Sequence, residues 1–222
     1  MITLVITSCG RFDLLKRTIE SFIKFNTYPV EEVIIIDDSE NKVAHDKIRD
    51  LMCKTHIPMT LILNEINIGQ ISSIDRAYAE VKTKYLFHCE DDWEFYKPGF
   101  LEKSLIILEN KPKILQVWLR AHYDTNTHPI EKELYEIHGV KYQIMQVNAI
   151  GGAWHGFTLN PGLRRLEDYN LVAPFTQYLK DGDFNALTEC RIGQKYFELG
   201  FRSAILTEGY IKHIGYGQQI KH

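Results

Sequence analysis

Short apolar runs that stop abruptly at acidic residues limit most tightly how this chain can fold. Residues 3–7 and 33–36 are continuous apolar runs of strand length, the pattern of strands buried on both faces. The second run ends in Asp37-Asp38-Ser39, and another, residues 85–87, leads into Glu90-Asp91-Asp92. Between the runs, Leu15, Ile19, Phe22 and Ile23 recur at helical spacing, as do Ile71, Ile74, Tyr78 and Val81. Residues 44–52 read as a polar helix and 60–63 as a strand. A further helix starts at Pro98, since proline suits a first turn, and carries Leu101, Leu105 and Leu108; residues 114–119 are a fifth strand. Strand and helix thus alternate five times within roughly 120 residues, which predicts an α/β domain with a mainly parallel central sheet flanked by helices. Ligands of such sheets collect beyond the carboxyl ends of the strands, where both acidic clusters fall.

The second half is less regular. Residues 121–142 read as a polar excursion or hairpin, 148–156 and 173–183 as loops, and 189–199 as a helix stopped by Gly200. Residues 203–206 are a last strand and 209–222 a tail. With no repeat or linker in view, the 222 residues are read as a single domain.

A formal charge of −3 argues against a nucleic-acid partner, because phosphate recognition wants a clustered basic surface. No stretch approaches the roughly 20 apolar residues of a membrane span. The four cysteines, Cys9, Cys53, Cys89 and Cys190, form no CxxC pair or zinc spacing and read as free thiols of a reducing, cytoplasmic compartment.

Three consecutive acids at the end of an apolar strand are costly to place beside a core, and a divalent cation offsets that cost. Carboxylates are the hard oxygen ligands that Mg²⁺ and Mn²⁺ take. Side chains alternate along a strand, so Glu90 and Asp92 are expected to face one site while Asp91 turns aside. A solvated acidic turn is the alternative. Asp37-Asp38-Ser39 can accept hydrogen bonds from a ribose or a base, or cap the next helix. Trp93 is expected to pack beneath the acidic loop. Arg164-Arg165 are expected to be solvated, with an anionic acceptor as their other use.

Taken together, these motifs resemble the family 2 glycosyltransferases of the GT-A fold. Residues 2–25, with Thr7 and Arg11, resemble the opening strand, turn and helix of that family. Residues 32–39 resemble its nucleotide-binding strand, Asn67-Ile68-Gly69 its Asn-x-Gly turn, and Glu90-Asp91-Asp92 its DXD-type motif. The resemblance implies a nucleotide-sugar donor and a divalent metal, Mn²⁺ or Mg²⁺, on Asp92. Glu90 or Asp91 would touch the ribose or a metal-bound water, and Thr7, Arg11, Asp37 and Asp38 would hold the nucleoside. Residues 1–120 would be the nucleotide- and metal-binding half and 121–222 the acceptor-binding half.

Thr188-Glu189-Cys190 stands where the family carries a Glu-Asp pair, with Gly200 at the family's spacing, so the resemblance implies Glu189 as general base. Asp181 and Asp183 are the nearest substitutes. Lys212-His213-Ile214-Gly215 resembles the C-terminal segment in which a His reaches the metal or diphosphate. The segment 151–156 resembles the sugar-pocket loop, where Trp154 would stack on a sugar and His155 bond a hydroxyl. The implied reaction is transfer of a sugar, with inversion, to a hydroxyl of a glycan, lipid-linked or protein acceptor. Two rivals stand beside it: a non-catalytic GT-A-like binding module, left open by the missing Glu-Asp pair, and a sugar-nucleotide nucleotidyltransferase, whose Gly-rich basic loop is absent after the first strand. A dinucleotide oxidoreductase would want GxGxxG there, and none is present.

Overall fold

The first apolar run forms strand β1 (Ile2–Ser8), buried along its whole length. The computed structural model describes residues 1–55, 57–148, 152–180, 182 and 185–217. Helix α1 (Phe12–Phe25) follows and turns Leu14, Leu15, Ile19 and Phe22 to the core. Ile23 is 43% exposed: one residue beyond Phe22, it falls off the buried stripe. The unit repeats through β2 (Glu32–Asp37), α2 (Lys42–Met52), β3 (Met59–Leu63), α3 (Gln70–Tyr78) and β4 (Tyr85–Glu90). After a short strand β5 (Trp93–Phe95) come α4 (Phe100–Asn110) and β6 (Ile114–Trp118). Helix α4 starts after Pro98-Gly99 and not at Pro98, because Gly99 takes a left-handed φ of 90° that closes the turn first.

The polar excursion contains a hairpin, β7 (Tyr135–Ile137) and β8 (Val140–Ile144). Then come β9 (Gly162–Arg165), α5 (Leu166–Asn170), α6 (Asn185–Glu198), β10 (Arg202–Leu206) and β11 (Ile211–His213). The nine-stranded sheet runs β3-β2-β1-β4-β9-β6-β10-β8-β7, and β5 with β11 forms a separate two-stranded ribbon. β3, β2, β1 and β4 are parallel neighbours, as are β6 and β10. β9 lies antiparallel between β4 and β6.

Neighbouring residues of β1 feed different cores. Leu4 and Ile6 meet α1 and α4 on one face, while Val5 joins Ile71, Ile74 and Ile192 of α3 and α6 on the other. The expectation of a mainly parallel sheet flanked by helices holds. β9 escaped the sequence because it reads Gly-Leu-Arg-Arg; both arginines are buried, at 2% and 4% exposure, and not solvated. α6 begins at Asn185, a turn ahead of the helix expected from residue 189, since no breaker stands in residues 185–188. The supposed tail supplies β11.

Candidate active site

The carboxyl ends of β1, β2 and β4 open into a cleft of about 460 Å³, a size that suits a small ligand. Thr7, Arg11, Asp38, Glu90, Asp91, Asp92 and His213 all line it. The fold therefore brings seven of the residues singled out in the sequence to one place.

At one end, the two aspartates of β2 have different work. Asp37 is fully buried and accepts from the Gly10 and Ser39 amides at 3.0 and 3.1 Å, with His45 Nε2 at 3.2 Å. It ties two turns together and does not line the cleft, which corrects its expected place on the nucleoside. Asp38 does line the cleft, and its carboxylate accepts from the amides of Ile68 at 2.9 Å and Gly69 at 2.8 Å. Gly69 reaches it with a φ of 86° that side chains resist. Asn67 donates to the Asp38 carbonyl at 2.9 Å. Asn67 and Gly69 thus shape Asp38 and stand outside the cleft lining.

In the centre, Asp91 lies in the turn between β4 and β5, with its carboxylate held by Arg11 and Ser8. It is 1% exposed and takes Arg11 Nε and Ser8 Oγ on Oδ2, each at 3.1 Å. Burial pushes its carboxyl up to about 6 against the Arg11 charge. Arg11 also reaches Asp92 Oδ2 at 3.0 Å, so its guanidinium serves the acidic motif. Glu90 accepts from Trp93 Nε1 at 3.0 Å and from Gln70. Burial, with the nearby Asp92 charge, raises its carboxyl to about 8. Trp93 lies beneath the motif at 1% exposure, as expected.

Asp92 sits against the returning strand β11. β11 pairs with β5 so that His213 faces Trp93, and His213 Nε2 lies 3.3 Å from Asp92 Oδ2. Burial pushes the Asp92 carboxyl up, but the His213 hydrogen bond and the Arg11 charge outweigh it and leave it below its usual range. Asp92 Oδ1 is buried without a hydrogen-bond partner. A Cβ on Gly215 would come within 2.9 Å of Asp92 Cβ and Cγ, so only glycine lets the backbone pass this close. A lone carboxylate oxygen beside an imidazole fits one divalent cation. No group of three or more His, Cys, Asp and Glu suited to a metal occurs among the described residues. A cation held here would take its other ligands from substrate and water.

Arg120, missed in the sequence, lines the same cleft while only 2% exposed. It follows β6, packs its guanidinium 5.2 Å from the Trp93 ring and reaches Asp124 at 2.7 Å. A cation placed just past the fifth apolar run was the available signal.

Glu189 lies half-buried on α6, behind the lining. Its Oε2 accepts from the Leu159 amide at 3.1 Å. Burial raises its carboxyl to about 7, opposed by the Leu159 and Thr158 hydrogen bonds and the Arg164 charge. Its charge adds to the upward push on the Glu90 carboxyl. Asp181, Asp183 and Gly151 lie outside the described residues. Trp154 and His155 are not brought to the cleft. Trp154 is 4% exposed, stacked on His128 at 4.0 Å and edge-on to Trp118. His155 packs on Phe197, ring centroids 4.8 Å apart. Aromatic packing in the second half claims both rings, which corrects the expected sugar platform.

Residues 3–166 match the family described as glycosyl transferase family 2. The chain belongs to that family, and its fold is the GT-A fold. No curated protein is a significant sequence match. Among solved structures, the chain is similar to the mannosyltransferase PcManGT from Pyrobaculum calidifontis in complex with GDP-Man and Mn²⁺. The TM-score is 0.67 at 15% identity, over 94% of this chain and 54% of that one. It is also similar to GalNAc-T7 with UDP, GalNAc and Mn²⁺, with TM-score 0.70 and 13% identity over 96% and 43%. A third is S. aureus TarS, with TM-score 0.66 and 13% identity over 95% and 36%. The chain thus spans about half or less of the length of these proteins. No helix among the described residues is long and apolar enough to cross a membrane.

Proposed function

We propose that this chain transfers a sugar from a nucleotide-diphosphate donor to an acceptor hydroxyl, with Asp92 and His213 holding a divalent cation. The observation that carries this reading is the partnerless, buried Asp92 Oδ1 in a cleft lined by carboxylates. The complexes of two structural neighbours, with GDP-Man and Mn²⁺ and with UDP and Mn²⁺, support it.

When bound, the cation offsets the charge of the departing diphosphate as a Lewis acid. Asp38 and Thr7 hold the nucleoside end at the carboxyl edges of β1 and β2. Arg11 keeps Asp91 and Asp92 oriented. Glu189 takes the proton of the acceptor hydroxyl as its oxygen bonds to the anomeric carbon, while the bond to the diphosphate breaks and its electron pair leaves with the diphosphate. With base and leaving group on opposite sides, the anomeric centre inverts.

The test is a thermal-shift screen of UDP, GDP and dTDP with Mn²⁺, Mg²⁺ or EDTA, on wild type and Asp92→Ala. A ligand at 100 times its Kd adds about 2.7 kcal/mol. A metal-dependent shift lost in Asp92→Ala supports the reading and identifies the donor base. A folded protein that shifts with none of them sinks it. Metal-dependent binding without donor hydrolysis or transfer would favour a non-catalytic module.

A further inference from the structure

Arg164 and Arg165 are consecutive on β9 and therefore point to opposite faces of the sheet. Arg165 is satisfied by the Asp168 carboxylate at 2.7 Å and by the carbonyls of Ile114 and Lys111 at 3.0 and 3.1 Å. Arg164 differs. Its Nε donates to Gln116 Oε1 at 3.1 Å, its Nη1 to the Tyr78 hydroxyl at 3.0 Å, and its Nη2 to the Thr158 carbonyl. All three acceptors are neutral, and the residue is 2% exposed. A guanidinium buried among neutral acceptors is expensive unless a negative charge lies within reach.

That charge is Glu189. The peptide group joining Thr158 to Leu159 offers its carbonyl to Arg164 and its N–H to Glu189 Oε2 at 3.1 Å. One planar peptide separates cation from anion, and its dipole suits both: oxygen toward the guanidinium, N–H toward the carboxylate. Hydrogen bonds chained in this way polarise one another.

We propose that Arg164 is a positioning residue for the general base. Through the Thr158–Leu159 peptide it fixes the Glu189 carboxylate in place and favours its charged form. The proposal rests on the reading of Glu189 as base. Gln116 on β6 and Tyr78 on α3 anchor the guanidinium, so the base is braced from three elements. The other groups around Glu189 are Glu90 from β4, the Thr158 hydroxyl, and Cys190 on its own helix. Burial works against ionisation; the Leu159 and Thr158 hydrogen bonds, and then the Arg164 charge, work for it.

The experiment is a ¹³C NMR titration of the glutamate carboxyls, with Glu189 assigned by Glu189→Gln. Arg164→Met should raise the Glu189 midpoint by about one unit. Arg164→Lys, which keeps the charge, should raise it less. Arg165→Met, an equally buried change on the other face, should leave it in place. If Arg164→Met does not fold, Tyr78→Phe loosens the same guanidinium and should move the midpoint in the same direction. A midpoint constant to within about 0.2 unit in the folded Arg164 or Tyr78 variants overturns the proposal, as does an equal shift in Arg165→Met. The underlying reading fails separately: full transfer or donor hydrolysis by Glu189→Gln would remove the base and leave the titration result standing.

Discussion

His213 Nε2 stands 3.3 Å from Asp92 Oδ2, and the other oxygen of that carboxylate is left buried and partnerless. The pair exists only because β11 returns to lie along β5. With only two protein ligands, the proposed cation site would depend heavily on each. His213→Ala should weaken Mn²⁺-dependent binding of a nucleoside diphosphate by about tenfold or more, and Asp92→Ala should abolish it. Isothermal titration with UDP or GDP and Mn²⁺ reads both; wild-type affinity in the two variants would place the cation elsewhere.

Gly215 presses its backbone against the Asp92 side chain. Gly215→Ala must push Asp92 aside, since backbone and carboxylate stem leave no room for a methyl group. The expected result is a loss of Mn²⁺ affinity far larger than the loss of thermal stability. The same titration, run beside a melting curve, separates the two. Unchanged metal affinity would mean that Asp92 is not held by this contact.

The Glu189 carboxyl is raised from an ordinary 4.5 to about 7, chiefly by burial. The folded state therefore binds this proton more tightly than the unfolded one. The associated stability is complete below about pH 4.5 and is lost as pH climbs through 7. Glu189→Gln stays neutral and still accepts from Leu159, so at pH 8 it should be more stable than wild type by about 2–3 kcal/mol. The gain should vanish at pH 4. Urea unfolding at both pH values checks the sign, and a mutant less stable at pH 8 would contradict it.

Arg11 compensates Asp91, whose side chain is 1% exposed. Removing one member of such a pair strands a buried charge. Arg11→Ala should cost roughly 2–4 kcal/mol, below the full value for a buried pair because Arg11 is partly exposed. Arg11→Ala/Asp91→Asn should recover much of that loss. Chemical denaturation of the single and double variants measures the coupling.

The first half of the fold was legible because local pattern and burial agree there. Continuous apolar runs became β1, β2 and β4, and of the acids that end or follow β2 and β4, Asp38, Glu90, Asp91 and Asp92 sit at the cleft. Glu90, Asp91 and Asp92 all reach the cleft, the two aspartates from the turn between β4 and β5 and not from a strand. Where long-range contacts decide the outcome, the pattern misled. Arg164 and Arg165 read as surface residues, yet carbonyls and polar side chains scattered along the chain bury them. Asp37 and Asp38 look alike in sequence, and turn amides hold both carboxylates; only Asp38 lines the cleft, an outcome set by Ser39 together with Gly10 and Gly69, distant in the chain. Trp154 was assigned a sugar because nothing local announced that His128 and Trp118 would claim its ring.

The ribbon of β5 and β11 also sets an order of events during synthesis. Every strand of the large sheet precedes β11 in the chain. A growing polypeptide can thus lay down its entire scaffold while the acidic motif still lacks the histidine that completes it. The proposed cation site would thus be completed after the sheet, by a ribbon laid against a scaffold already in place.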